Sequence, residues 1–322
     1  MKHLNINNLN SGLMLISLAT AWVFPFELFL FAYAVLGPLH YLTEIHWLHK
    51  KNYFATEKYE PHALMLASLF LFLLLFVSGA ALATKILIGA FCAAAVMAVD
   101  MNIHVKYSLY AIIVVVLIFL PAIPILFLLF AVLLPTLIHV YVFTGAFMLY
   151  GTMKDRSLSG FISLFLFLAA PVVLFFLTTV DATALPSAYA QGAYALFAPL
   201  NQTLLSLMGT TVNDAIVAVY LSATGVAIMK CIAFAYTYHY LNWFSKTTVI
   251  RWNVMTKKAR NAIVLVWLIS VILYAVDYRL GLFALYFLSM LHVLLEFPLD
   301  HKTFMAIGSE LRKKLMPQLT RG

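Results

Sequence analysis

Apolar runs of 18 or more residues recur along the whole chain, and each is long enough to cross a bilayer as a helix. In hydrocarbon every backbone N–H and C=O needs a partner within the structure, which a helix supplies from its own residues. Charge is correspondingly scarce. Only 10% of the 322 residues are charged and 64% are hydrophobic, whereas ordinary soluble domains carry about 25% charged residues. The expected fold is therefore all-α, a polytopic integral membrane helix bundle forming a single transmembrane domain over residues 1–322. The run from Leu13 has a weak basic start and no small-residue cleavage site, so it reads as a retained helix and not a signal peptide. Cys92 and Cys231 both fall inside apolar runs, where reduced, packed thiols are expected.

Nine transmembrane helices are expected, at 12–36, 61–82, 84–100, 107–120, 121–150, 158–180, 212–244, 260–277 and 280–298. Pro121, Pro124 and Pro135 interrupt the stretch 107–150, which reads as one span plus a kinked one or as two short ones. Residues 181–211 are apolar and Ala-rich but contain Pro186, Gly192, Pro199 and Asn201. They read as an extracytoplasmic interfacial or re-entrant segment. Lysines and arginines follow the odd-numbered spans, at Lys50, Lys51, Lys58, Lys106, Lys154, Arg156 and within 245–260. Residues 301–322 form a basic tail. By the positive-inside rule the odd spans end in the cytoplasm, with the amino terminus outside and the carboxy terminus inside.

The ten histidines are unevenly placed on this map. At 1.5 Å per residue, His239 lies roughly 10 Å above Lys246, His292 roughly 12 Å above Asp300 and His40 roughly 15 Å above Lys50. His139 is at a similar depth. Four helices thus deliver one imidazole each to one level, and they are expected to converge. A single membrane histidine is usually bonded to a neighbouring helix, but ionisable groups at this depth are costly and mark functional sites. His46, His49, His62 and His301 lie nearer the surface and read as interfacial.

His40 and Glu44 are four residues apart, as are His292 and Glu296, so each pair shares a helix face. A metal-bound imidazole donates its other N–H to a carboxylate or carbonyl. Glu44 and Glu296 are expected to do this or to ligate directly; the alternative is a salt bridge to a nearby lysine. Neutral imidazoles on rigid helices suit iron, copper, zinc or nickel. A site of this kind sunk in hydrocarbon suits oxygen chemistry on a lipid. Tyr236, Tyr238, Tyr240 and Trp243, near His239, are candidates to line an apolar substrate tunnel, or else belong to an interfacial aromatic belt.

Four segments, "GPLHYLTE" (37–44), "LIHVYVFTGAF" (137–147), "FAYTYHYLNWFSK" (234–246) and "LHVLLEF" (291–297), occur in the order and spacing of four histidine motifs. They resemble those of the Brp/Blh family of bacterial and archaeal membrane β-carotene dioxygenases. The resemblance covers most of the span pattern, and in sequence these short motifs alone. It implies a plasma-membrane protein with Fe(II) held by His40, His139, His239 and His292, cleaving the central double bond of a carotenoid with molecular oxygen to give retinal. In the family's first motif the order is Gly-Leu-Pro-His-Gly; here Pro38 and Leu39 are exchanged and Tyr41 follows the histidine. Trp243 stands where the family's third motif carries a second histidine.

Two other classes remain open. One is another membrane metalloenzyme, using iron or a different transition metal on another lipid, although the HxxxH and HxxHH clusters of lipid hydroxylases and desaturases do not occur. The other is a proton-coupled transporter with a histidine relay, although inverted repeats are not visible. The expected partners are membrane lipid, an apolar small molecule and oxygen, not nucleic acid.

Overall fold

The computed structural model describes residues 6–77, 79–178, 186–210, 214 and 216–315. Among these, every regular element is a helix and none is a strand. In chain order they are α1 (Ile6–Val23), α2 (Pro25–Lys50), α3 (Pro61–Phe76), α4 (Ala80–Met97), α5 (Ile103–Phe119), α6 (Pro124–Asp155), α7 (Leu158–Phe176), α8 (Ala188–Tyr194), α9 (Ala198–Leu207), α10 (Ala223–Ser245), α11 (Lys257–Val276) and α12 (Tyr278–Leu315). Among the described residues, six helices are long and apolar enough to cross a membrane: α2, α4, α6, α7, α11 and α12. α3 and α5 are apolar but shorter. Large apolar side chains stand on the outside, with Ile118, Phe165 and Ile272 each at least 60% exposed. In water such a surface would drive association; against lipid it is the natural exterior.

The chain forms two compact units, one of residues 1–40 and 156–283, the other of residues 41–155 and 284–322. In unit 1, α10 is the central helix. Its residues from Ile232 to Tyr240 are all buried, His239 among them. That burial explains how α10 carries Lys230, His239 and Asn242, because its polar groups meet protein and not lipid. Asn10 Oδ1 accepts from Ser245 Oγ at 3.0 Å, and Lys230 lies over the Trp22 ring at 4.3 Å. Phe26 then packs on Tyr220, Phe29 on Tyr236, and His40 returns to His239. The chain therefore runs along α10 in one direction through α1 and comes back through α2. It reverses at Phe24, whose φ of −131° and ψ of 60° break the helix just before Pro25.

The expected single span over 12–36 is thus two antiparallel helices. The start of α1 sits at the same end of the unit as Ser245, not at the opposite end as expected. α7 joins that end as well, through Asn7 Nδ2 donating to Ser157 Oγ at 3.1 Å. Of the stretch 181–211, residues 181–185 and 211 lie outside the described residues. The rest forms α8 and α9, whose Tyr194 is fully buried against Phe26 and Phe29.

Entry into α10 is also sharp. Residues Val217–Leu221 form a π-helical turn, Ser222 is extended, and its Oγ accepts from Gly225 N at 2.9 Å. A Cβ at Gly225 would stand 2.0 Å from the Ala218 carbonyl oxygen, so only glycine fits.

Unit 2 contains α3 to α6 together with the later parts of α2 and α12. Pro121 falls in the break between α5 and α6, so the stretch 107–150 is two helices. Residues 127–143 of α6 are π-helical around Pro135, which has no N–H to give to the ladder. Lys106 Nζ makes a buried ion pair with Glu60 Oε1 at 2.6 Å, and Tyr110 donates to the same oxygen. This network ties the 51–60 connection to α5. α12 continues unbroken through Pro298 to Leu315, so the part of the expected tail up to that residue is helical.

Candidate functional site

In unit 1, His40 sits just after a π-helical turn, Ala32–Leu36, in α2. The turn loosens the α-helical ladder, and the Val35 carbonyl accepts from Trp267 Nε1 at 2.8 Å. Gly37, one turn before His40, lets the Tyr240 hydroxyl approach to 3.3 Å from where a Cβ would be. These features press α2 against α10. His40 Nε2 then lies 3.0 Å from His239 Nε2, with the rings near perpendicular at 74°. Trp243 meets the His40 ring edge-on at 5.5 Å and stacks on Trp252. The indole thus walls one side of the imidazole.

In unit 2, His139 comes from the π-helical part of α6. Its Nε2 lies 3.2 Å from His292 Nε2 on α12, and its Nδ1 lies 3.1 Å from Glu296 Oε2. Glu296, expected to serve His292 on its own helix, therefore reaches across to His139. One of the Glu44 carboxylate oxygens lies within 4.8 Å of a His292 ring nitrogen. Tyr41 packs over His292 with ring centroids 5.6 Å apart. All six polar groups are buried, from 1% exposed for His40 and Glu44 to 7% for His239.

The expectation of four imidazoles thus resolves, unit by unit, into two Nε2–Nε2 pairs. Two nitrogens bound to one ion at about 2.1 Å stand about 3.0–3.4 Å apart, for angles between a right angle and the tetrahedral value. Both observed separations fit that range. They also fit an N–H···N hydrogen bond between neutral rings, one donor and one acceptor. The carboxylate 3.1 Å from His139 Nδ1 favours the metal reading, because metal-bound imidazoles commonly have a carboxylate beside the nitrogen that does not ligate.

The tunnel candidates separate. Tyr236 packs edge-to-face on Phe29 at 5.0 Å. Tyr238 is fully buried and turns toward α1 and α7, stacked beside Phe234 with its hydroxyl 3.4 Å from Asn10 Oδ1. Tyr240 and Trp243 border His40. The outlying histidines have other partners: His49 the Tyr53 hydroxyl, His62 the Tyr59 carbonyl, and His301 the Phe91 carbonyl. One member was missed. Asp300 belongs to the carboxylate group, and its signal was the spacing His292, Glu296, Asp300, four residues each time on one helix face.

No protein-family model, curated protein or solved structure matches this chain. What fold and site define is a class: an all-helical protein with helices of membrane-spanning length and composition, whose buried histidine and glutamate side chains are close enough to hold a metal ion.

Proposed function

We propose that the chain is a membrane-embedded oxygenase with a histidine-ligated non-haem iron, acting on an apolar polyene or lipid, with β-carotene and its cleavage to retinal as the leading case. The reading rests above all on His139, whose two nitrogens are divided between Glu296 and His292. Its imidazole ligands are drawn from the pairs His40–His239 and His139–His292. Ferrous iron so held supplies a place to activate molecular oxygen. The protein's part is to keep each Nε2 unprotonated, to orient the rings, and to exclude water. Glu296 serves the first two tasks for His139, and Tyr240, Trp243 and Tyr41 serve the last. In the membrane, the basic stretch 245–260 faces the cytoplasm. The antiparallel course of α1 brings its start to that side.

The experiment is metal analysis of detergent-purified protein, paired with cells that make β-carotene. Iron in the native protein, bleaching with retinal produced, and loss of both in His239→Ala and His139→Ala support the reading. Bleaching that survives either substitution removes it. Two deeply buried glutamates, Glu44 at 1% and Glu296 at 4% exposed, favour a second reading, a proton-coupled carrier. Proton-driven flux in liposomes by metal-free protein selects that one.

A further inference from the structure

A cleft in unit 2 lies outside the histidine site. α4 and α5 meet closely at Gly89, where a Cβ would stand 2.7 Å from Leu117 Cδ1. Beyond Phe119 the helix stops. Leu120 is extended, and Pro121 and Pro124 carry no N–H, so the chain swings out before it re-enters as α6. The space beside this break is a cleft of about 230 Å³, open on one side. It is lined by Thr84, Lys85 and Ile88 of α4 and by Leu120, Ile123 and Phe127.

Lys85 is the one charged group in this lining, and no carboxylate pairs with it among the described residues. The nearest acids in sequence are Glu60, just before α3, and Asp100, just after α4. Thr56 N donates to the Met97 carbonyl at 3.1 Å, which puts both acids at the opposite end of these helices. At 1.5 Å per residue Asp100 is about 22 Å from Lys85. The Ile118 carbonyl accepts from Lys85 Nζ at 3.3 Å. That bond takes one of three donors and cancels no charge. A lysine among apolar helices is costly until an anion meets it.

We propose that this cleft binds an anionic phospholipid of the bilayer, with part of one acyl chain against Ile88, Ile123 and Phe127 and the phosphate on Lys85. Side chains on a helix lean toward its N-terminus, and a lysine stem runs along apolar surface to bring its ammonium to the headgroups. Lys85 stands about 8 Å past the start of α4. Its stem therefore reaches toward the level where phosphates lie, which favours a phospholipid over a free fatty acid. The acyl chain covers the apolar lining while the phosphate supplies the missing counter-charge. This site rests on neither the metal nor the oxygenase reading.

The test uses the full chain, purified in detergent and stripped of lipid. It is titrated with phosphatidylglycerol or phosphatidylcholine, and bound lipids are counted by native mass spectrometry. The expected result is one phosphatidylglycerol per chain held at least about fivefold more tightly than phosphatidylcholine, the share of one lysine against anionic lipid. That preference is expected to vanish in Lys85→Gln, and in Ala81→Trp, which adds bulk to the lining and keeps the charge. It is expected to persist in Lys314→Gln, which removes the same charge from the basic tail. A preference unchanged in Lys85→Gln overturns the proposal. So does a preference lost equally in Lys314→Gln, which is a response to net charge, or one kept in Ala81→Trp, which places the lipid outside the cleft. Oleate that displaces phosphatidylglycerol at equal concentration makes the occupant a fatty acid and overturns the phospholipid. Should Lys85→Gln fail to fold, Ala81→Trp and Lys314→Gln decide between them.

Discussion

His139 turns its Nδ1 to Glu296, 3.1 Å away, and its Nε2 to His292, 3.2 Å away. One ring nitrogen lies beside a carboxylate while the other faces a second imidazole. Glu296→Gln keeps the size of the side chain and removes its charge. Metal affinity is expected to fall on the order of 10–100-fold, with the helical content unchanged. Competition against a chelating dye measures it, and an unaltered affinity would show that Glu296 does not act on His139.

Trp267 donates to the Val35 carbonyl, freed by the π-turn that precedes His40. Trp267→Phe keeps the packing and loses the N–H. A cost of about 1 kcal/mol in stability is expected, together with weaker metal retention. Thermal unfolding in detergent with and without metal gives both numbers, and no change in either would make the hydrogen bond incidental.

Lys106 and Glu60 form a buried pair, both nearly inaccessible. Lys106→Ala takes the counter-charge from the buried carboxylate and is expected to destabilise by about 3–5 kcal/mol. The double substitution Lys106→Met with Glu60→Gln is expected to recover most of that. If the double variant is no better than the single, pairing is not the reason for the loss.

Gly225→Ala is expected to abolish monodisperse protein, because the added Cβ would stand 2.0 Å from the Ala218 carbonyl. Gly308→Ala is the control, with open space around its position. Gel filtration of the two compares them directly; equal behaviour would mean that the π-turn at Val217–Leu221 can move aside.

The hairpin of α1 and α2 predicts labelling from one side. With Cys92 and Cys231 replaced by alanine, cysteines at position 8 and position 249 should react with an impermeant maleimide from the same face of a sealed membrane. The reason is that Asn10 meets Ser245. Labelling from opposite faces would restore a single span over 12–36.

The helical class, the membrane character and the burial of His40, His139, His239 and His292 were legible from the sequence. Apolar length and residue depth are one-dimensional properties, and counting along the chain measures both. The reversal at Phe24–Pro25 was not legible, because the turn is made of apolar residues and leaves no polar gap between two apolar helices. The partner of each carboxylate was not legible either. The four-residue spacing correctly placed Glu296 on the face of His292, but a side chain's partner is set by whichever helix packs against that face. In unit 2 that helix is α6, whose π-helical stretch around Pro135 carries His139 to within 3.1 Å of Glu296. Composition determines that such a chain must be helical and bury its polar groups; only the packing of one helix on another decides which polar groups they meet.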